Sequence, residues 1–507
     1  MKDVIVWMHF FVSVMLFFYG FHFYVILVLF YRGKRQGRNW KRKAVISDKE
    51  LPVVVIQLPL FNEFNVVERL IEASVGMKYP KHKLEIQVLD DSTDETKELT
   101  KSICAVYREK GFDITYIHRE NRVGYKAGAL KEGLEKVRGS LVAIFDADFI
   151  PNSDFLMETV PFFLENEKLG LVQTRWDYYN REYSFLTQIQ AVALDGHFMV
   201  EQKARSDNGL WFNFNGTAGI WRKECILDAG NWSGDTLTED LDLSYRAQIK
   251  GWKTYYHREI GHESELPMTI PAYKGQQFRW AKGAFQCAKK LLGPIMKARQ
   301  TKLSSKMEAL VHLINYGAFL FLSLNFLLML PLSYMAVKYE FNPWDVVPWY
   351  LALAFFVLGF MGPFVYFVLS QKERGRPALR ALVNVVGLVI LNFGLSPLIV
   401  RAFFEAFLGK QSEFVRTPKM NMNTATVQKT LKRYKIKFDF MILVETFAGI
   451  YGLLTIMYCV ESKLYGIAFF AFLYTLGFFW IVMGTLQSMF SKQQYRLKMK
   501  HINNVAK

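Results

Sequence analysis

Hydrophobic positions are gathered at the two ends of the chain, while the middle alternates between short apolar runs and longer mixed ones. Val4 to Tyr31 is an apolar and aromatic run, followed by Arg32, Lys34, Arg35, Arg38, Lys41, Arg42 and Lys43 without an acid among them. At about 1.5 Å per residue such a helix exceeds the roughly 30 Å of a bilayer core, so it tilts or protrudes. No small-residue cleavage site follows it, and the cations mark the cytosolic side. Residues 1–31 are therefore expected to form an uncleaved transmembrane helix with its N-terminus outside, and residues 32–50 a basic cytosolic linker.

Residues 51–298 have a soluble α/β pattern. Val53 to Leu58, Leu84 to Leu89, Ile114 to Ile117, Leu141 to Phe145 and Leu169 to Gln173 read as strands. Val66 to Met77, Asp94 to Lys110, Ala127 to Val137 and Asp154 to Asn166 read as the helices between them. Such alternation predicts a mostly parallel, Rossmann-like sheet flanked by helices, with its ligands at the carboxyl ends of the strands.

Apolar runs return at Leu310 to Val337, Val346 to Ser370, Ala381 to Leu408, Met441 to Val460 and Leu464 to Met489. Taking every run as a crossing would place the strongly basic stretch from Lys410 to Lys437 outside. Ala381 to Leu408 is interrupted by Asn384, Asn392, Pro397, Arg401 and Glu405, so it is read as an interfacial element on the cytosolic side. The expected layout is then two transmembrane helices, that element and a basic loop within 299–437, two more helices in 438–490, and a basic cytosolic tail at 491–507. The outer loops are short, which puts any chemistry in the cytosol.

Composition changes this picture little. The net charge of +17 lies largely beside the apolar runs, where positive-inside topology and anionic lipid account for it better than nucleic acid does. Cys104, Cys225, Cys287 and Cys459 show no CxxC spacing, so neither a disulfide framework nor a cysteine zinc site is expected. His197, His257 and His262 have no metal-ligand spacing and read as core or surface residues. Asn215-Gly216-Thr217 and Asn231-Trp232-Ser233 match a glycosylation acceptor pattern, but both fall in the part expected to be cytosolic.

Candidate chemistry sits at strand ends. Asp90 and Asp91 end one apolar strand and Asp146-Ala147-Asp148 ends another, and carboxylates two apart on a turn can share a hard cation. Thr238-Glu239-Asp240 and Gln276-Gln277-Phe278-Arg279-Trp280 follow in the same region. This order resembles the D, DxD, TED, QxxRW pattern of processive family 2 glycosyltransferases, the cellulose synthase superfamily. QVLDDSTD, NRVGYKAGALKEG, VAIFDADF, FNGTAGIWR and GQQFRW are most similar to the plant cellulose synthase-like A group, the mannan and glucomannan synthases. Phe414-Val415-Arg416-Thr417-Pro418-Lys419 resembles that family's FxVTxK gating loop, with Arg416 as a departure.

The resemblance implies a GT-A domain inserted between transmembrane helices, and gives each residue a role. Asp240 is the general base, with Glu239 beside it; Asp148 with Asp146 binds Mg2+ or Mn2+. Asp90 or Asp91, Lys126, Asp146, Gln276 and Arg279 hold the donor, while Trp280, Asn215, Gly216 and Thr217 meet the acceptor. Phe414, Thr417 and Lys419 belong to the gating loop. The expected activity is inverting transfer from GDP-mannose or UDP-glucose to a growing β-linked mannan, glucomannan or β-glucan, coupled to translocation across a plasma, inner or Golgi membrane. No nucleic-acid partner is expected. The rival readings are a single-transfer glycolipid synthase, which needs no gating loop, and a channel or transporter with a degenerate domain, which the intact motifs disfavour.

Overall fold

The computed structural model describes residues 2–36, 40, 42, 46–299, 301–340, 355–412 and 439–505. Among them α1 (Lys2–Gln36) leads into a seven-stranded sheet built from β1 (Val54–Leu60), β2 (Leu84–Asp90), β3 (Asp113–His118), β4 (Leu141–Ile144), β5 (Leu169–Tyr178), β6 (Gly219–Arg222) and β7 (Lys253–Ser264). The strand order is β3-β2-β1-β4-β6-β5-β7, and only β6 runs antiparallel to its neighbours. The helices of this region are α2 (Val67–Val75), α3 (Thr96–Glu109), α4 (Tyr125–Glu135), α5 (Phe155–Glu165), α6 (Phe185–Asp195), α7 (Gln202–Asp207), α8 (Lys223–Asp228), α9 (Glu239–Ile249) and α10 (Ile270–Lys297).

Parallel strands covered on both faces must be apolar throughout, and β1 is buried along most of its length. Its alternate residues feed two cores: Val54, Ile56 and Leu58 join Val67, Leu70 and Phe155 on one face, while Val55 joins Leu130, Ile144 and Trp221 on the other. Because β1 lies between β2 and β4, the chain reverses its strand order there, and a crevice opens at the carboxyl ends of the three strands.

β6 and β7 are not legible as strands. β6 has four residues, and β7 reads KTYYHREIGHES, mostly polar. β5 also continues past Gln173 to Tyr178, pairing with β7 across a register shift between Thr174 and Arg175. That irregularity carries Trp176 and Tyr178 over to the wall of the crevice.

Beyond α10 come α11 (Leu303–Leu313), α12 (Ala318–Lys338), α13 (Met361–Glu373), α14 (Ala378–Phe407), α15 (Met441–Glu461) and α16 (Tyr465–Val505). Among the described residues five helical stretches are long and apolar enough to cross a membrane: 3–36, 315–338, 379–407, 441–461 and 465–490. The run expected to start at Leu310 is divided, because a tight turn at Asn315–Gly317 ends α11 before α12 begins. Residues 346–354 of the expected span at 346–370 lie outside the described residues.

The run read as interfacial, Ala381 to Leu408, is one continuous helix packed against α10, α12 and α16 as well as α6. Of its most apolar stretch 61% is buried, more than in the other four, so protein rather than lipid surrounds much of it. Its polar groups accordingly find partners: Arg401 Nε donates to Glu405 at 2.9 Å, and the buried Lys282 of α10 donates to Glu405 at 2.9 Å. All four cysteines are buried and unpaired.

Candidate active site

The crevice holds a cavity of about 200 Å³ lined by Asp91, Lys126, Asp146, Asp148, Asn215, Gly216, Glu239, Asp240, Gln276, Arg279 and Trp280. Eleven of the residues singled out in the catalytic region, contributed by loops and helices far apart in sequence, thus face one space.

Asp146 and Asp148 follow β4. The Asp146 backbone N–H donates to Thr217 Oγ1 at 2.9 Å, and Asp148 Oδ2 accepts from the Glu265 N–H at 3.5 Å. Thr217 is fully buried and is not part of the cavity wall; it positions Asp146 from behind. Asp90 is also fully buried and away from the cavity, accepting from the Ser92 N–H at 2.9 Å and the Tyr116 hydroxyl at 2.8 Å. Its neighbour Asp91 does face the cavity, gripped in bidentate fashion by Arg119 at 2.7 and 2.6 Å. Each of its oxygens keeps a further lone pair.

Lys126 stands in the first turn of α4, behind Gly124 in the left-handed conformation at φ +72°. Its Nζ donates to Asp146 Oδ1 at 2.5 Å and to the Gly216 carbonyl at 2.8 Å, and lies 3.9 Å from Glu239. Glu239 and Asp240 open α9, where the positive end of the helix dipole meets them. Gly216, at φ +82°, makes this closeness possible: a Cβ there would lie 3.0 Å from Asp240 Oδ2 and 3.3 Å from Lys126 Nζ.

Three carboxylates thus share one ammonium. Burial pushes the Asp240 carboxyl up to about 7, and the negative charge of Glu239 adds to it against the pull of Lys126. Glu239 is raised for the same first reason, burial. Burial would lower Lys126, but the charges of Asp146, Glu239 and Asp240 outweigh it and hold its pKa above the ordinary value.

Gln276, Arg279 and Trp280 are three and four residues apart on α10, so one face of that helix presents all of them to the cavity. The opposite face locks onto α14 and the chain after it. Lys282 donates to the Lys410 carbonyl at 2.8 Å and to Ser412 Oγ at 2.5 Å. The gating-like residues Phe414, Thr417 and Lys419 come next and lie outside the described residues.

His197, read from the sequence as a core or surface residue, reaches the cavity wall through Asn215. It lies in a π-helical turn, Gly196–Glu201, with Nε2 3.1 Å from the Asn215 amide nitrogen and Nδ1 3.0 Å from Glu201 Oε2. Asn215 Oδ1 in turn accepts from Gln202 at 2.7 Å. This orients the Asn215 amide and places the His197 proton on Nδ1. The line continues through Arg205, which donates to Glu201 at 3.0 Å, to Glu308, paired with His22 of α1 at 3.0 Å. The spacing His197, Glu201, Arg205, four residues each, was the available signal.

Among the described residues no group of three or more His, Cys, Asp or Glu could hold a metal ion. Asp146 and Asp148 are nevertheless two hard oxygen donors on the cavity wall, and Mg2+ is commonly held by one or two carboxylates with substrate phosphates completing the shell. The residues present fit such a cation.

The domain has the GT-A fold, a mostly parallel sheet with a carboxylate-lined crevice at its switch point, and a mannosyltransferase from Pyrobaculum calidifontis, solved with GDP-Man and Mn2+, shares that fold. The TM-score is 0.50 at 18% identity, covering 80% of this chain and 100% of that one. Residues 52–283, a span that includes every cavity residue named above, match the glycosyltransferase like family 2. Glucomannan 4-beta-mannosyltransferase 9 of Arabidopsis thaliana is 44% identical over 287 residues, 55% of this chain and 54% of that protein. Glucomannan 4-beta-mannosyltransferase 1 of Cyamopsis tetragonoloba is 42% identical over 292 residues, 56% of each. The chain spans about half the length of these relatives.

Proposed function

We propose that the protein is a membrane-embedded inverting β-mannosyltransferase that lengthens a mannan or glucomannan from GDP-mannose. The observation that carries this reading is the convergence of Asp146, Asp148 and Asp240 with Gln276, Arg279 and Trp280 on one cavity. The choice of mannose over glucose rests on the names of the relatives that are 42 to 44% identical to this chain over 287 and 292 aligned residues.

Each residue then has work suited to its surroundings. Asp146 and Asp148 would hold Mg2+ or Mn2+, which when bound neutralises charge on the departing diphosphate. Arg279, with its planar fork of donors, and Lys126 face the same phosphates, while Asp91 lies toward the nucleoside. Trp280 offers its flat ring to the apolar face of an acceptor sugar, and Asn215, with its amide oriented by His197 and Gln202, addresses that sugar's hydroxyls.

Asp240 takes the proton from an acceptor hydroxyl as that oxygen attacks the anomeric carbon. The new C–O bond forms on the face opposite the diphosphate, whose bond to the sugar breaks. One displacement inverts the anomeric centre, so an α-linked donor gives a β-linked product. A carboxyl raised to about 7 is a stronger base than an ordinary aspartate and still ionises near neutrality. Glu239 keeps the site acidic and holds Lys126 in reach.

The proposal includes a cytosolic catalytic domain, an N-terminus on the other side of the membrane, and passage of the product between helices that abut α10. The test is incorporation of label by the purified, reconstituted protein from GDP-mannose and from UDP-glucose, with Mg2+ or Mn2+. A polymer made from GDP-mannose and degraded by β-mannanase is expected. A β-glucanase-sensitive polymer from UDP-glucose would overturn the donor assignment, and one labelled sugar on extracted lipid would overturn polymer synthesis.

A further inference from the structure

A second groove, of about 1240 Å³, lies where the end of α1 meets the catalytic domain and shares no residue with the catalytic cavity. Its charge is one-sided. Arg32, Lys250, Lys253, Arg299 and Lys302 line it, all of them exposed and none paired with an acid among the described residues. The two acids in its wall are already engaged: Asp207 accepts from Lys203 at 2.8 Å, and Glu308 pairs with His22 at 3.0 Å and Arg205 at 3.6 Å. Among the described residues no acid is left to answer these cations, so they face an anion from outside them.

The apolar part of the groove says what kind of anion. Val25 and Leu29 line it from α1, within the stretch long and apolar enough to cross a membrane, and the adjoining Val28 is 66% exposed. On the far rim α11 begins with Leu303 and Met307 exposed beside Lys302 and Lys306. Apolar side chains that continue a membrane span, flanked by cations, are the pattern of a surface at the headgroup level. A soluble phosphate would use the cations and leave the apolar wall unused.

We propose that this groove binds an anionic phospholipid, its phosphate among Lys250, Lys253, Arg299 and Lys302 and its acyl chains along Val25, Val28 and Leu29. The site joins two parts of the molecule: α1 forms one wall, and Arg299 follows directly from the end of α10, the helix that carries Gln276, Arg279 and Trp280 into the catalytic cavity. Occupancy ties the membrane helix to that catalytic helix.

The test uses the full-length protein, delipidated in detergent and examined by native mass spectrometry with phosphatidylglycerol or phosphatidylcholine added. Wild type is expected to retain phosphatidylglycerol in preference to phosphatidylcholine. The variant carrying Lys250→Ser, Lys253→Ser, Arg299→Ser and Lys302→Ser is expected to lose at least about tenfold in apparent affinity for it. All four side chains are exposed, so the variant should melt with wild type in phosphatidylcholine. Equal retention of phosphatidylglycerol by both proteins would overturn the site. Complete displacement of the lipid by soluble glycerol phosphate would overturn a lipid as its occupant in favour of a soluble anion.

Discussion

Two buried clusters of charge meet at Asn215 and Gly216, and burial has opposite outcomes in them. On the cavity side, Asp146, Glu239 and Asp240 share Lys126, and the Asp240 carboxyl is pushed up to about 7. On the other side, Glu201 and Glu308 are served by Arg205, His197 and His22. Burial raises Glu201 as well, but the Arg205 charge and the His197 hydrogen bond outweigh it and hold that carboxyl well below the usual range. Glu308 is lowered likewise, burial being overcome by His22 and Arg205. Direct partners decide the sign: Glu201 and Glu308 each take hydrogen bonds or ion pairs from donors beside them, whereas Asp240 has a second carboxylate, Glu239, as its neighbour. A carboxylate set beside another acid holds its proton and can serve as a base; carboxylates set among donors make a brace.

The largest difference between the two clusters is expected at Asp240. Asp240→Asn should lower kcat by about 10²–10⁴-fold while GDP-mannose binding persists, since only the proton acceptor is removed. Near-normal turnover would remove Asp240 from the base role. In the brace, Arg205→Met should leave Glu201 and Glu308 short of a partner and cost about 3–5 kcal/mol, read as a lowered melting temperature. An unchanged melt would mean that the network is decorative. Gly216→Ala meets both a left-handed backbone and a contact 3.0 Å from Asp240 Oδ2, so a loss of roughly tenfold in kcat is expected with little change in melting. Smallest is Trp280→Ala, which should raise the acceptor KM by up to about tenfold and leave donor hydrolysis nearly intact. Equal loss of both would take Trp280 out of the acceptor site.

The cavity was legible because its residues belong to short contiguous motifs whose strand-end and helix-start positions follow from local pattern. Asp146, Asp148, Asp240 and the face of Gln276, Arg279 and Trp280 all line one cavity. What sequence did not separate was Asp90 from Asp91: both end the same strand, and only the side taken by each carboxylate distinguishes a buried tie to Tyr116 from a cavity wall. Thr217 is likewise one residue from the cavity yet turned away. β6 and β7 were missed because their support is tertiary, a four-residue strand and a polar one held by pairing to β4 and β5. His197 was read as a core or surface residue because its hydrogen bond to Asn215, 18 residues along the chain, is made only in the folded chain.

The most direct test of the account is the pH dependence of kcat/KM alongside the near-UV circular dichroism of the same protein. A raised Asp240 carboxyl holds its proton below about 7, so activity should fall about tenfold per pH unit as the pH drops beneath that value. A depressed Glu201 carboxyl stays ionised there, and its contribution to stability, present above the ordinary glutamate range, is lost only as pH falls well below it. Activity is expected to decline from pH 7 to 5 while the tertiary signal holds. Activity that stays level over that interval, or a tertiary signal lost in step with it, would contradict the assignment of an acid-rich catalytic cluster beside a neutralised brace.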